Sequence, residues 1–239
     1  MSDTAYLALL LDGPLQSWGF SSRFQRRTTE LHPTKSGVIG LICAAMGLAK
    51  GSTEEDKTLP ELATLKVNTL AIPRDVPEGG GRLPVLRLED YHTVLDTRRA
   101  TGTMNKDAVV TRRQYLLDAR FGVILVGERP LLESVAAALR DPVWGVWFGR
   151  KSCLPAEPVL RGLFPTEGEA QRALIGDRAV DQFATVTEVR NFAEGTDSLS
   201  DQPVSFGDGS SSGPDKRLFG VRRISVVPAR RADNPKSEI

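Results

Sequence analysis

The sequence predicts an α+β fold: a ferredoxin-like, RRM-type domain with an inserted β-hairpin, followed by a smaller β-rich C-terminal region. Three observations predict it. Up to Leu139, strand-like apolar runs and helical spacings alternate as strand, helix, strand, hairpin, strand, helix. A polar, basic, glycine-containing tip separates two β-patterned arms. With 239 residues, 40% of them hydrophobic, the chain has ample material for a packed core.

Each element has a local reason. Ala5–Leu11 is apolar on both faces, the mark of a buried strand. A Gly13-Pro14 turn and a basic loop carrying Trp18 follow. Thr34 is the predicted N-cap of a helix in which Val38, Ile39, Leu41, Ile42, Ala45, Met46 and Leu48 fall at helical spacing; Gly47 and Gly51 end it. Leu65–Ile72 reads as a second strand, and Pro73–Pro84, with three consecutive glycines and three prolines, as a loop. Leu86–Asp96 and Ala108–Leu117 are the arms of a long hairpin, a thumb over 86–117, with its tip at Thr97–Lys106. Phe121–Gly127 is a clear strand, and Pro130 opens an amphipathic helix reaching Leu139. These elements make a domain over 1–158. The region 159–228 shows strands at Ala184–Phe192 and Arg217–Val227. Between them Glu194–Pro214, rich in Gly, Ser and Asp, reads as a mobile loop, and 229–239 as a disordered tail.

Net charge is only +1, so overall charge makes no case for a polyanion partner; its distribution does. Arg23, Arg26, Arg27 and Lys35 stand against Glu30 alone between Gln16 and Lys35. Six basic and two acidic residues lie from Arg98 to Arg120, and six and one from Asp215 to Arg231. This segregation fits a basic face with an acidic remainder. Two cysteines make no disulfide framework, and no apolar run approaches a membrane span, so the expected setting is reducing, soluble and cytoplasmic, with no membrane partner. Neither zinc-ligand nor two-metal spacing is present, and no metal or other cofactor is expected.

The chemistry-bearing motifs point to phosphate. Thr34-Lys35-Ser36-Gly37 opens a helix, where free amides, an ammonium and a hydroxyl together suit an anion. A nucleotide-hydrolysing P-loop is excluded, because Thr29 and Thr34 stand where its glycines belong. Gln16-Ser17-Trp18, just past a strand end, offers an amide to a base edge and an indole to a base face, or else a tryptophan that closes the core. Gly149-Arg150-Lys151-Ser152 resembles a second phosphate-binding turn. Arg98, Arg99 and Lys106 make the hairpin tip basic, and Arg112 and Arg113 flank its base. His92, beside Tyr91, is a candidate general acid or base for a metal-independent ribonuclease but lacks a partner at a convincing spacing.

Five ordered segments carry a family resemblance: GPLQSWG at Gly13–Gly19, PTKSGVIGL at Pro33–Leu41, DYHTV at Asp90–Val94, RQYLLDARF at Arg113–Phe121 and GRKSC at Gly149–Cys153. Together they resemble the type I-E (CasD) branch of the Cas-five family, subunits of the CRISPR Cascade surveillance complex. The resemblance spans about the first two-thirds of the chain. It implies a ferredoxin-like domain with a hairpin thumb and a non-catalytic role in antiviral defence. The partners it implies are the 5′ handle of the CRISPR RNA, the backbone subunits whose filament the protein caps, and the large PAM-recognising subunit, with target DNA met indirectly. On this sequence the RNA-binding set is Gln16, Ser17, Trp18, Arg26, Arg27, Thr34, Lys35, Ser36, Gly37, Arg98, Arg99, Lys106, Arg112, Arg113, Arg150, Lys151 and Ser152. A sister subtype uses its Cas-five protein to process repeat RNA, so an endoribonuclease is the alternative, and a purely structural adaptor is a third.

Overall fold

The computed structural model describes residues 3–19, 25–74, 85–98, 102–105, 107–207 and 217–230. It is a mixed α+β architecture with mainly antiparallel strands. In chain order the elements are β1 (Thr4–Asp12), β2 (Leu15–Gln16), β3 (Arg26–Arg27), α1 (Lys35–Ala45), α2 (Thr53–Thr64), β4 (Lys66–Ala71), β5 (Leu86–Val94), β6 (Val109–Leu117), β7 (Arg120–Glu128), α3 (Arg129–Arg140), β8 (Leu160–Phe164), α4 (Glu167–Ile175), β9 (Ala184–Val189), β10 (Asp197–Ser205) and β11 (Leu218–Val227). Seven strands form one sheet in the order β10-β11-β9-β4-β7-β1-β8.

The apolar run of β1 is continuous because the sheet is covered on both faces. Leu7, Leu9 and Leu11 join the larger core, packed with Val38 and Ile42 of α1 and Leu132 and Val135 of α3. Ala8 turns to the opposite face, into a smaller cluster with Ile124, Ala170 and Ile175. Period-2 alternation thus sends neighbouring residues into two different cores. Helix α1 is apolar nearly all round because it too is enclosed, and Phe206, just past β10, belongs to the same core.

Helix α2 starts on a variant of the capping box, its carboxylate reaching the residue before the N-cap, that the acidic run Glu54-Glu55-Asp56 conceals. Ser52 Oγ accepts from Glu55 N at 3.2 Å, and Glu55 Oε2 accepts from Gly51 N at 2.6 Å. At the start of helix α4 the Thr166 hydroxyl accepts from Glu169 N and lies 3.1 Å from the Glu169 carboxylate.

A second, smaller sheet stands beside the first. Strands β5 and β6 pair antiparallel along their full nine residues, from Leu86↔Leu117 to Val94↔Val109. The other edge of β6 takes β2 near its base and, in parallel, β3 farther out.

Strands β9–β11 extend the main sheet from the free edge of β4, starting with Thr69↔Val186. This corrects one expectation. Within the stretch Glu194–Pro214, read from composition as a loop, Asp197–Ser205 form strand β10. Leu199, Asp201 and Pro203 alternate inward, and the buried Asp201 is satisfied by a distant arginine and a distant backbone amide. Composition does not show such compensation. Residues 208–214 of that stretch, and 231–239 of the tail, lie outside the described residues.

Candidate nucleic-acid interface

The N-terminus of α1 was the expected anion site, and it is filled from within. The Thr34 hydroxyl accepts from Gly37 N. The Lys35 amide donates to Asp201 Oδ2 at 2.7 Å. A carboxylate of β10 thus sits where a phosphate was expected, for the same reason: orphan amides and the helix dipole favour negative charge. The Lys35 side chain is 1% exposed, and its Nζ lies 3.0 and 3.1 Å from the two oxygens of Glu188. Burial pushes its pKa below the ordinary 10.5, with Glu188 opposing the shift. Arg222 completes the cluster, with Nε and Nη2 on Asp201 at 2.6 and 2.9 Å and Nη1 3.6 Å from Glu188. Lys35 is therefore a buried structural cation, correcting its expected role as a phosphate ligand.

Of the two readings of Trp18 the structure takes the core-closing one, and the expected roles of Gln16 and Trp18 in holding a base are corrected with it. Trp18 is 1% exposed and packs against Phe148, with ring centroids 6.0 Å apart. Its Nε1 donates to Gln16 Oε1, and the Gln16 amide donates to the carbonyls of Leu11 and Ala119. The indole closes the core, and the glutamine amide joins β2 to the end of β1 and to the residue before β7. Gly37 is needed here, because a Cβ would stand 2.8 Å from the Trp18 ring. Ser17 is buried and donates to Gln114 O.

Beside this packed N-terminus lies a cleft of about 540 Å³. It is lined by the basic side chains of Arg27, Lys50, Arg150, Lys151 and Arg217 and by Trp144, Trp147, Phe206 and Phe219. Ser36 and Gly37 reach it from α1, and among the described residues Glu55, 2% exposed, is the one acidic residue that lines it. The cations are held in place by the protein. Arg150 donates to the carbonyls of Gln114 and Arg27 and lies 4.5 Å from the Tyr115 ring centroid. Lys151 lies 5.7 Å from the Trp147 ring, and Arg217 5.8 Å from the Phe219 ring. Partial burial and the nearby Arg217 lower the Lys50 pKa. The turn carrying Arg150 depends on Gly149, at φ +87°, where a Cβ would meet the Ser17 carbonyl at 1.8 Å. A lining of cations and aromatic faces suits a single strand held by its phosphates and stacked through its bases.

The remaining expected residues lie apart from one another. Arg26, Arg112 and Arg113 are on the β5–β6–β3 ribbon, Arg98 pairs its backbone with Met104 near the hairpin tip, and Ser152 is an exposed turn residue. Arg99 and Lys106 lie outside the described residues. His92 is 4.0 Å from Asp90 on the exposed ribbon, and as adjacent strand residues Tyr91 and His92 face opposite sides. Sequence reading missed Lys50, Trp144, Trp147, Phe206, Arg217 and Phe219. The spacing Trp144-x-x-Trp147, immediately before Gly149-Arg150-Lys151, was the available signal.

The family model described as CRISPR-associated protein (Cas_Cas5) matches residues 6–225. The chain belongs to the Cas5 family. Among curated relatives in that family, the CRISPR system Cascade subunit CasD of Escherichia coli (strain K12) is 31% identical over 175 residues, covering 72% of this chain and 76% of the relative. Two solved structures are similar along nearly the whole length. A chain of a CRISPR RNA-guided surveillance complex has a TM-score of 0.69 at 28% identity, covering 94% of this chain and 90% of that one. A crystal structure of a Cas protein has a TM-score of 0.60 at 28% identity, covering 94% and 98%. The Cas5 match includes the residues that line the cleft and the buried charge cluster, so the strands after β8 belong to the family region. Among the described residues, no helix is long and apolar enough to cross a membrane.

Proposed function

We propose that this Cas5-family protein is a non-catalytic, RNA-binding subunit of a cytoplasmic Cascade complex. In this reading it holds the 5′ handle of the CRISPR RNA, caps the filament of backbone subunits and contacts the large PAM-recognising subunit. Target DNA is met only through the assembled particle. The observation that carries the reading is the cleft, where among the described residues five basic side chains, five aromatic rings and one buried acid form the lining. Family membership supplies the kind of RNA. Phosphates lie along Arg27, Arg150, Lys151, Lys50 and Arg217, and bases stack on Trp144 and Trp147. The β5–β6 arm is the thumb, lying across the RNA near the handle–spacer boundary. A ferredoxin-like core is supported by the antiparallel order β8-β1-β7-β4 and by helices following β1 and β7.

The test is co-purification. The tagged chain is expressed with its neighbouring Cascade subunits and a CRISPR array, and bound RNA is sequenced. The expected result is a multi-subunit particle carrying RNA with one uniform repeat-derived 5′ end. Lys151→Gln with Arg217→Gln should weaken RNA binding and flatten the slope of log K against log salt by about 1.4, at about 0.7 per single-strand phosphate contact. A chain recovered alone, without RNA, overturns the proposal.

A further inference from the structure

Among the described residues, Lys35 and Lys50 both sit where the ammonium form is disfavoured, and they differ in access. Lys35 is 1% exposed and clasped by Glu188, so no reagent reaches it. Lys50 stands in the turn between α1 and α2, exposed and on the cleft lining. The neighbouring Gly51 amide donates to Glu55 Oε2, which pins that turn. Lys50 is the exception among the cleft cations. Arg150 is braced by two carbonyls, and Lys151 and Arg217 each lie over an aromatic ring. Among the described residues, no hydrogen bond, salt bridge or ring contact holds the Lys50 ammonium. Desolvation by the cleft, and then the charge of Arg217, lower its pKa, while Glu55 and Cys43 oppose the shift. At a given pH more of Lys50 is therefore the neutral, nucleophilic amine than for an ordinary surface lysine. The cations that crowd it also draw small anions into the cleft. An electrophile carrying its own negative charge thus meets an amine able to attack it.

We propose that Lys50 is an acylation site whose donor is a small acyl phosphate, drawn in by Arg150, Lys151 and Arg217. The neutral Nζ adds to the carbonyl carbon of the donor. The C–O bond to phosphate breaks, inorganic phosphate leaves with the electron pair, and the proton released from Nζ passes to solvent. The amide product is uncharged, so the cleft loses one cation. Resting on the RNA-binding reading, this makes the modification an off-switch: acylation removes one phosphate contact, and bound RNA shields Lys50 from the donor.

The test is to incubate the full chain with acetyl phosphate and follow the occupancy of each lysine by peptide mass spectrometry. Lys50 should be acetylated at least about threefold faster than Lys57, which is exposed on α2 outside the cleft lining. Inorganic phosphate, compared with chloride at equal ionic strength, should slow Lys50 and leave Lys57 unchanged. Arg217→Gln should slow Lys50 as well, because it restores the ammonium form and weakens the pull on the donor. Oligouridine should protect Lys50. Lys50→Gln, uncharged like the acylated side chain, should flatten the salt slope of oligouridine binding by about 0.7, whereas Lys50→Arg should keep it. Acetylation of Lys50 no faster than that of Lys57, or untouched by phosphate, overturns the acylation site. Fast, phosphate-sensitive acetylation without protection by oligouridine, and with an unchanged Lys50→Gln slope, upholds the site and overturns the off-switch. If the Lys151→Gln, Arg217→Gln protein also keeps its slope, the RNA-binding reading of the cleft falls while the acylation site stands.

Discussion

Replacing Asp201 with alanine tests whether the buried charge cluster ties the C-terminal strands to α1. Asp201 is fully buried and accepts three short hydrogen bonds, from Lys35 N at 2.7 Å and from Arg222 at 2.6 and 2.9 Å. Its loss leaves Arg222, 5% exposed, with only Glu188 at 3.6 Å. Removing one partner of a buried ion pair costs about 3–5 kcal/mol, because the remaining charge stays desolvated. Loss of an acceptor at the first turn of α1 adds about 1 kcal/mol. These contributions overlap, so a loss of about 4 kcal/mol is expected. At about 2–4 °C per kcal/mol for a chain of this size, the thermal midpoint should fall by about 8–16 °C. Asp201→Asn keeps an acceptor and should fall between Asp201→Ala and the unsubstituted protein. The assay is thermal and denaturant unfolding of the isolated chain. The control is Asp177→Ala, which breaks the exposed pair with Arg172 and should leave stability unchanged. An Asp201→Ala loss no larger than that control would refute the idea that this cluster holds β10 and β11 against the helix.

The backbone and the thiols give two further expectations. Gly149→Ala places a Cβ against the Ser17 carbonyl at a left-handed φ, so the chain should lose more than about 2 kcal/mol in denaturant unfolding; equal midpoints would mean that the turn can shift freely. Burial first, and then the charge of Glu55, push the Cys43 thiol from 9.0 up to about 12. At pH 8 its thiolate fraction, and with it the rate of alkylation by iodoacetamide, should be roughly a thousandfold lower in the native protein than in guanidinium. The folded pKa lies above the unfolded one, so this thiol's contribution to stability is full below pH 9.0 and is lost as pH rises toward about 12. Mass spectrometry of the native chain after labelling, and unfolding midpoints at two alkaline pH values, check both statements; rapid native labelling of Cys43 would contradict the first.

Local pattern reached the elements whose signal is local. β1 and β7 announce themselves as apolar runs, α1 by helical spacing after Thr34, and α3 by Pro130 at its start. Helix α2 was legible in principle, through Ser52 and Glu55, but its acids and Pro60 masked a helix that is held mainly by its cap and by buried Leu59 and Leu62. Strand β10 was hidden because its inward positions include an aspartate and a proline.

The order of residues along the chain by itself determined the sites of strong backbone preference, the segregation of basic side chains and the motifs that mark the family. The tertiary structure alone decided which charges remain available. Lys35 and Arg150 look equally suited to phosphate in the sequence. Lys35 meets Glu188 across 153 positions of chain and is buried, whereas Arg150, braced by the carbonyls of Gln114 and Arg27, remains at the cleft. The cleft itself joins Arg27, Trp144 and Arg217, which no local window contains together. The physical reason is that charge compensation and desolvation depend on distance in space, whereas sequence pattern records only neighbours along the chain.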